Sequence, residues 1–115
     1  MEKDIIKFSV QGEQLERITP LKTYAANTVH YIEAHFTFNG DAWSGYDTLT
    51  AVWFNDFYTK GSEIINGVTI IPAEVLKRSG ALKINLCADK CENNILVARM
   101  TSRPVIALQQ VKTRV

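Results

Sequence analysis

Residues 31 to 38, "YIEAHFTF", alternate apolar and polar side chains without a break. Ile32, Ala34, Phe36 and Phe38 fall on one side of an extended chain, and Tyr31, Glu33, His35 and Thr37 on the other, because successive strand side chains point to opposite faces. A helix would scatter that apolar set around its circumference, so the segment is constrained to a half-buried β-strand. "ALKINLCAD" repeats the pattern, with Leu82, Ile84, Leu86 and Ala88 opposed to Lys83, Asn85, Cys87 and Asp89. "TLTAVWFN" carries β-branched and aromatic residues on both parities. That suits a central strand with one face in the core and the other covered, and Trp53 or Phe54 must face outward if Leu49 and Ala51 do not.

Shorter strands are expected at Ile5 to Val10, Gln14 to Ile18, Phe57 to Thr59, Val68 to Ile71, Ile95 to Met100 and Val105 to Leu108. Turn residues separate them in "VQGE", "FNGD", "KGSE", "INGV", "DKCENN" and "SRP", where Gly, Asn and Pro favour chain reversal. Strands at about ten-residue spacing predict an all-β antiparallel sandwich or barrel. One segment differs. In "IPAEVLKRSG", Pro72 suits the first helical position, Glu74 the first turn, Lys77 and Arg78 the last, and Gly80 a left-handed cap, which predicts a short helix over about residues 72–78.

A chain of 115 residues accommodates a single domain, 1–115, with no room for a second useful core. With 46% hydrophobic and 22% charged residues the composition fits a globular chain, too apolar for disorder and too interrupted by charge for a membrane span. A formal charge of +1 gives no field that would favour nucleic acid or anionic lipid. The start, "MEKDIIKFSV", lacks the apolar run of a secretory signal, so synthesis in a cytoplasm is expected.

Little in the sequence supports catalysis. Of the two histidines, His30 precedes a strand and His35 lies on its outward side, where a surface role is the better account than a catalytic one. The six glycines stand singly and form no phosphate-binding pattern. Asp41 and Asp47 flank a loop without calcium-loop spacing, and Asx turns account for them better than paired acids do. Cys87 and Cys91 are the only cysteines and are expected as reduced thiols, with too few partners for zinc's usual four or so ligands. No catalytic, cofactor or metal residues are assigned. Trp43, on the loop between two strands, has three readings: a plug closing one end of the core, an anchor for a partner, or a platform for a sugar ring. The plug is favoured. Trp43 and Tyr46 remain the candidate partner contacts on that loop, and Lys112 and Arg114 those in the C-terminal "VIALQQVKTRV", which either extends along a neighbouring subunit or frays.

Taken in order, "IIKFSVQGEQLERI", "YIEAHFTFNGDAWSGYDTLTAVWF", "GVTIIPAEVLKRSGALKINLCA" and "ILVARMTSRPVIALQQV" cover nearly the whole chain. Together they resemble the N-terminal immunoglobulin-like domain of baseplate upper proteins and related small structural proteins of tailed bacteriophages. The sharpest parts are the aromatic strand, loop tryptophan and apolar strand (Phe36, Phe38, Trp43, Ala51, Phe54) and the isoleucine-proline segment ending in glycine (Ile71, Pro72, Val75, Leu76, Gly80).

The resemblance implies an immunoglobulin-like β-sandwich without enzymatic activity, located in the virion. Its partners would be other virion proteins of the capsid, tail or baseplate, with several copies set in a symmetric assembly. Baseplate upper proteins continue into a helical stalk and a further module, whereas this sequence stops at Val115, so an attachment or decoration subunit is expected in place of a host-receptor adaptor. The alternative is a carbohydrate-binding module that engages host surface glycans through Trp43, Tyr46 and Tyr58.

Overall fold

The computed structural model describes residues 4–26 and 31–111. The expected β-sandwich is present. The first sheet contains β1 (Asp4–Gln11), β2 (Gln14–Arg17), β4 (Ile32–Asn39) and β7 (Val68–Ile70), in the order β2-β1-β4-β7. The second contains β3 (Thr23–Ala25), β5 (Thr48–Phe54), β6 (Thr59–Glu63), β8 (Gly80–Glu92), β9 (Ile95–Thr101) and β10 (Val105–Val111). Its order is β3-β10-β8-β5-β6, with β9 paired to β8. The sheets are mixed, not purely antiparallel: β1 lies parallel to β4, and β3 parallel to β10. Strands brought together by long connections are free to run in either direction, whereas hairpin neighbours are not.

The alternation read from the sequence sets which faces meet. Ile32, Ala34 and Phe36 of β4 join Ile6, Phe8 and Val10 of β1 to form the inner face of the first sheet. Leu82, Ile84, Leu86 and Ala88 of β8 are fully buried opposite them. On β5 the inward set is Ala51 and Trp53, with Leu49 packed against the core, so Phe54 takes the other face.

Several boundaries differ from expectation. The segment after Pro72 is one 3-10 turn, Ala73–Leu76, not a helix over 72–78. Gly80, with φ +119°, opens β8 where a left-handed cap was expected. A single turn is enough, because it seats Val75 and Leu76 in the core. The Val75 carbonyl, which has no further helix to bond, accepts from Gln110 Nε2 at 2.9 Å and Asn55 Nδ2 at 3.3 Å. "KGSE" is part of β6, not a turn. The reversal lies just before it, where Asn55 Oδ1 accepts the backbone N–H groups of Phe57 and Tyr58, each at 2.8 Å. Gly61 sits in that strand where Thr50 Cγ2 would stand 3.1 Å from an added Cβ. "DKCENN" is mostly strand as well: β8 runs to Glu92, and the reversal is confined to Asn93 and Asn94, at φ 53° and 64°. Two consecutive left-handed residues are the signature of the tight hairpin turn whose twist matches its strands.

One edge of β8 is shared between two strands. β10 pairs with Gly80 to Ile84 and β9 with Cys87 to Glu92. Ser102 fills the gap between them. Its backbone N–H donates to Leu86 O at 2.9 Å, and its hydroxyl accepts the Leu86 N–H at 2.7 Å. Ser102→Ala therefore strands a buried N–H in the middle of the longest strand. A loss of about 1–3 kcal/mol is expected, measured as a lowered denaturation midpoint with an unchanged slope.

Candidate interaction surfaces

Trp43 is seated in the core, with 5% of its surface exposed. Its Nε1–H donates to Gly12 O at 2.7 Å, tying the β4–β5 loop to the β1–β2 turn. The ring lies 6.1 Å from Phe38, which lies 6.4 Å from Phe36, which stacks on Phe8 at 5.1 Å. These four aromatics form a continuous path from the sheet to the loop, at spacings typical of favourable ring pairs. That is the plug arrangement, and it leaves too little indole face for a sugar ring or a partner to cover. Tyr46 is half-buried against the same core. Lys112 and Arg114 lie outside the described residues, as does His30.

The polar groups of a kind that supports chemistry are dispersed or already engaged. His35 Nε2 is 2.8 Å from Glu33 Oε1 on the outer face of β4. Asp47 does not pair with Asp41. Its Oδ2 accepts the Cys91 N–H at 2.6 Å, and its own N–H donates to Asp89 O at 2.8 Å. Asp89 in turn receives Arg99 Nε at 2.6 Å and Nη2 at 3.2 Å, a bidentate pair across β8 and β9. These Arg99 hydrogen bonds hold the Asp89 carboxyl below the usual carboxylate range. Burial, and then the neighbouring Asp89 charge, push the Cys87 thiol upward, away from the thiolate a nucleophile requires. Among the described residues no group of three or more His, Cys, Asp or Glu is placed to hold a metal ion, and no helix is long and apolar enough to cross a membrane.

Two surface features remain that the sequence reading did not single out. The first is the β8–β9 hairpin. β8 meets β5 only as far as Asp89, so the hairpin from Lys90 onward has no third strand beside it. Pairing steps from Lys90–Ala98 to Cys91–Leu96, which leaves Val97 as an extra residue on β9. Such a bulge breaks the two-residue alternation, and Ile95, Leu96 and Val97 are all exposed, Ile95 at 65%. Asp47 and the Asp89–Arg99 pair brace the root of this arm. The molecule's longest dimension is 52 Å against 26 Å in the other two.

The second feature is a recess of about 390 Å³ where the open edges of the two sheets, β6 and β7, come together. Ile65, Val68 and Ile70 form its apolar wall, and Glu33 and Glu63 stand at its sides. Ile65 is 62% exposed. At the inner end Ser62 Oγ accepts both the Trp53 indole N–H at 2.9 Å and the Thr69 hydroxyl at 2.8 Å, linking a strand of one sheet to a strand of the other.

No protein family pattern matches this sequence, and no curated protein matches it. Among solved structures, the fold is similar to one described as the N-terminal domain of phage TP901-1 ORF48, over 99% of this chain and 100% of that one, with a TM-score of 0.57 and 12% sequence identity. At that identity the shared property is the arrangement of strands, and it extends from one end of the chain to the other.

Proposed function

We propose that this chain is a non-enzymatic structural protein of a tailed-bacteriophage virion, an immunoglobulin-like module that attaches to or decorates the capsid, tail or baseplate through contacts with other virion proteins. The single observation that carries this reading is the end-to-end likeness to a phage domain. The surface agrees with it: polar groups are engaged in holding loops and hairpins, while Ile95, Leu96 and Val97 on a braced arm and Ile65 and Ile70 at a sheet edge are among the exposed apolar residues. Patches of that kind, raised on a rigid scaffold, are suited to protein contact. Lys112 and Arg114, outside the described residues, belong to the same reading as partner contacts. The glycan reading has less to stand on once Trp43 is buried.

Purified phage particles test the proposal. Mass spectrometry of intact, nuclease-treated virions is expected to detect the chain in stoichiometric proportion to a major structural protein. Particles that lack it, with the chain left in the soluble lysate, would overturn the virion assignment.

A further inference from the structure

The arm and the recess are complementary, and both belong to one chain. We propose that the β8–β9 hairpin tip of one copy docks in the β6–β7 recess of a second copy, so that molecules join head to tail. The tip offers Ile95, Leu96 and Val97 to solvent, and the recess offers Ile65, Val68 and Ile70. All of these but the half-buried Val68 are exposed, and seating Leu96 and Val97 against the recess wall removes apolar surface on both sides from water. A recess of about 390 Å³ admits the Leu96 and Val97 side chains together.

Charge favours the same occupant. Two carboxylates, Glu33 and Glu63, flank the recess. On the arm, Arg99 is held by Asp89, while Lys90 is exposed beside the tip. Glu92 lies two residues beyond it, at the turn end of the hairpin. Docking by the Cys91–Leu96 pair, on the opposite parity from Lys90, Glu92 and Ile95, presents Leu96 to the aliphatic wall. Lys90 is then left at the rim, within reach of Glu63.

A chain cannot satisfy its own recess. Through Thr50 on β5, Glu63 of β6 and Cys87 of β8 lie at one level. The tip pair Glu92–Ile95 lies five residues further along β8, about 16 Å at the rise of a strand. The braced root prevents the arm from folding back. Since the two patches differ, the contact is heterologous: each docked copy keeps one free tip and one free recess, and growth ends only if a ring closes. The arm covers far less area than a standard stable interface, so one contact is weak and association is expected at about 0.1–1 mM chain. This inference does not depend on the virion reading.

Sedimentation velocity of the full chain, from about 10 μM to 1 mM, reads the association directly. The wild type is expected to show a sedimentation coefficient that rises with concentration. Leu96→Asp and Ile65→Asp, both at exposed positions, are expected to abolish the rise separately while keeping the wild-type melting temperature. Mixed in equal amounts, they retain one good recess and one good tip between them, so dimers form and nothing larger. Reversing the rim charges, Lys90→Glu or Glu63→Lys, is expected to weaken association alone and to restore it when both are combined in one chain. A wild type that stays monomeric throughout would overturn the proposal. So would association abolished by Leu96→Asp but untouched by Ile65→Asp, which would mean tip-to-tip pairing of β9 edges.

Discussion

Trp53→Ala is expected to remove a large share of the chain's folding stability. Trp53 is fully buried on β5, between Ile84 of β8 on one side and Lys60 of β6 on the other. Truncating an indole in such a site costs about 3–5 kcal/mol, since the cavity adds to the lost transfer energy. A small domain has only about 5–15 kcal/mol in all. The loss is not only apolar. Ser62 Oγ receives the Trp53 N–H and the Thr69 hydroxyl, so removing the indole also disturbs the polar link between β6 and β7, at the edge where the sheets meet. A fall in melting temperature of more than about 10 °C is expected. Trp53→Phe keeps most of the bulk but loses the N–H, and should fall between the two. If Trp53→Ala lowered stability by less than about 1 kcal/mol, the core could not be organised around this residue.

The strands that carry the core were legible because half of each is buried and half is not. In β4 and β8 the two-residue alternation reports the two faces directly, and the structure places Ile32, Ala34, Phe36, Leu82, Ile84 and Leu86 inside. Where both faces are covered, or the strand is short, that information is absent. β3 is three residues, Thr23–Ala25, too short to show a period, and it was not expected at all. β6 contains Lys60, Gly61, Ser62 and Glu63, a composition that reads as a turn. It is a strand because its pairing with β5 decides the backbone, and its glycine answers to the Thr50 methyl. Tertiary contact outweighed local preference there.

The same distinction separates the surfaces. Trp43 as a plug was legible from its setting between an aromatic strand and an apolar one. The exposed arm was not, because "ILV" after a turn reads as the start of an ordinary strand. Only the register reveals that Val97 is an extra residue and that its neighbours are turned outward. Three consecutive apolar residues where alternation was due were the available signal. The recess joins β6 and β7, two strands of different sheets, and no local pattern encodes which edges lie together.

Trp43→Ala is the second large effect, and it bears on function because it separates a core residue from a contact residue. The structure predicts a loss of about 3–5 kcal/mol, for a residue on a loop where truncation would ordinarily cost little. Two components contribute. The ring leaves Phe38, opening the outer end of the aromatic path, and the Gly12 carbonyl loses its donor. Gly12 has φ +57° in the β1–β2 turn, and the indole hydrogen bond fastens that reversal to the β4–β5 loop. Trp43→Phe restores the apolar contact without the donor and is expected to recover most of the stability, leaving a deficit of about 1 kcal/mol. Urea denaturation of the three proteins measures the series. A partner anchor would show the reverse: unchanged stability on truncation, with assembly or binding lost. Given that Trp43 is nearly inaccessible, any assembly defect in Trp43→Ala should follow the unfolded fraction and disappear at temperatures low enough to keep the variant folded. A defect that persists in the folded variant would move this tryptophan from the core to the interface.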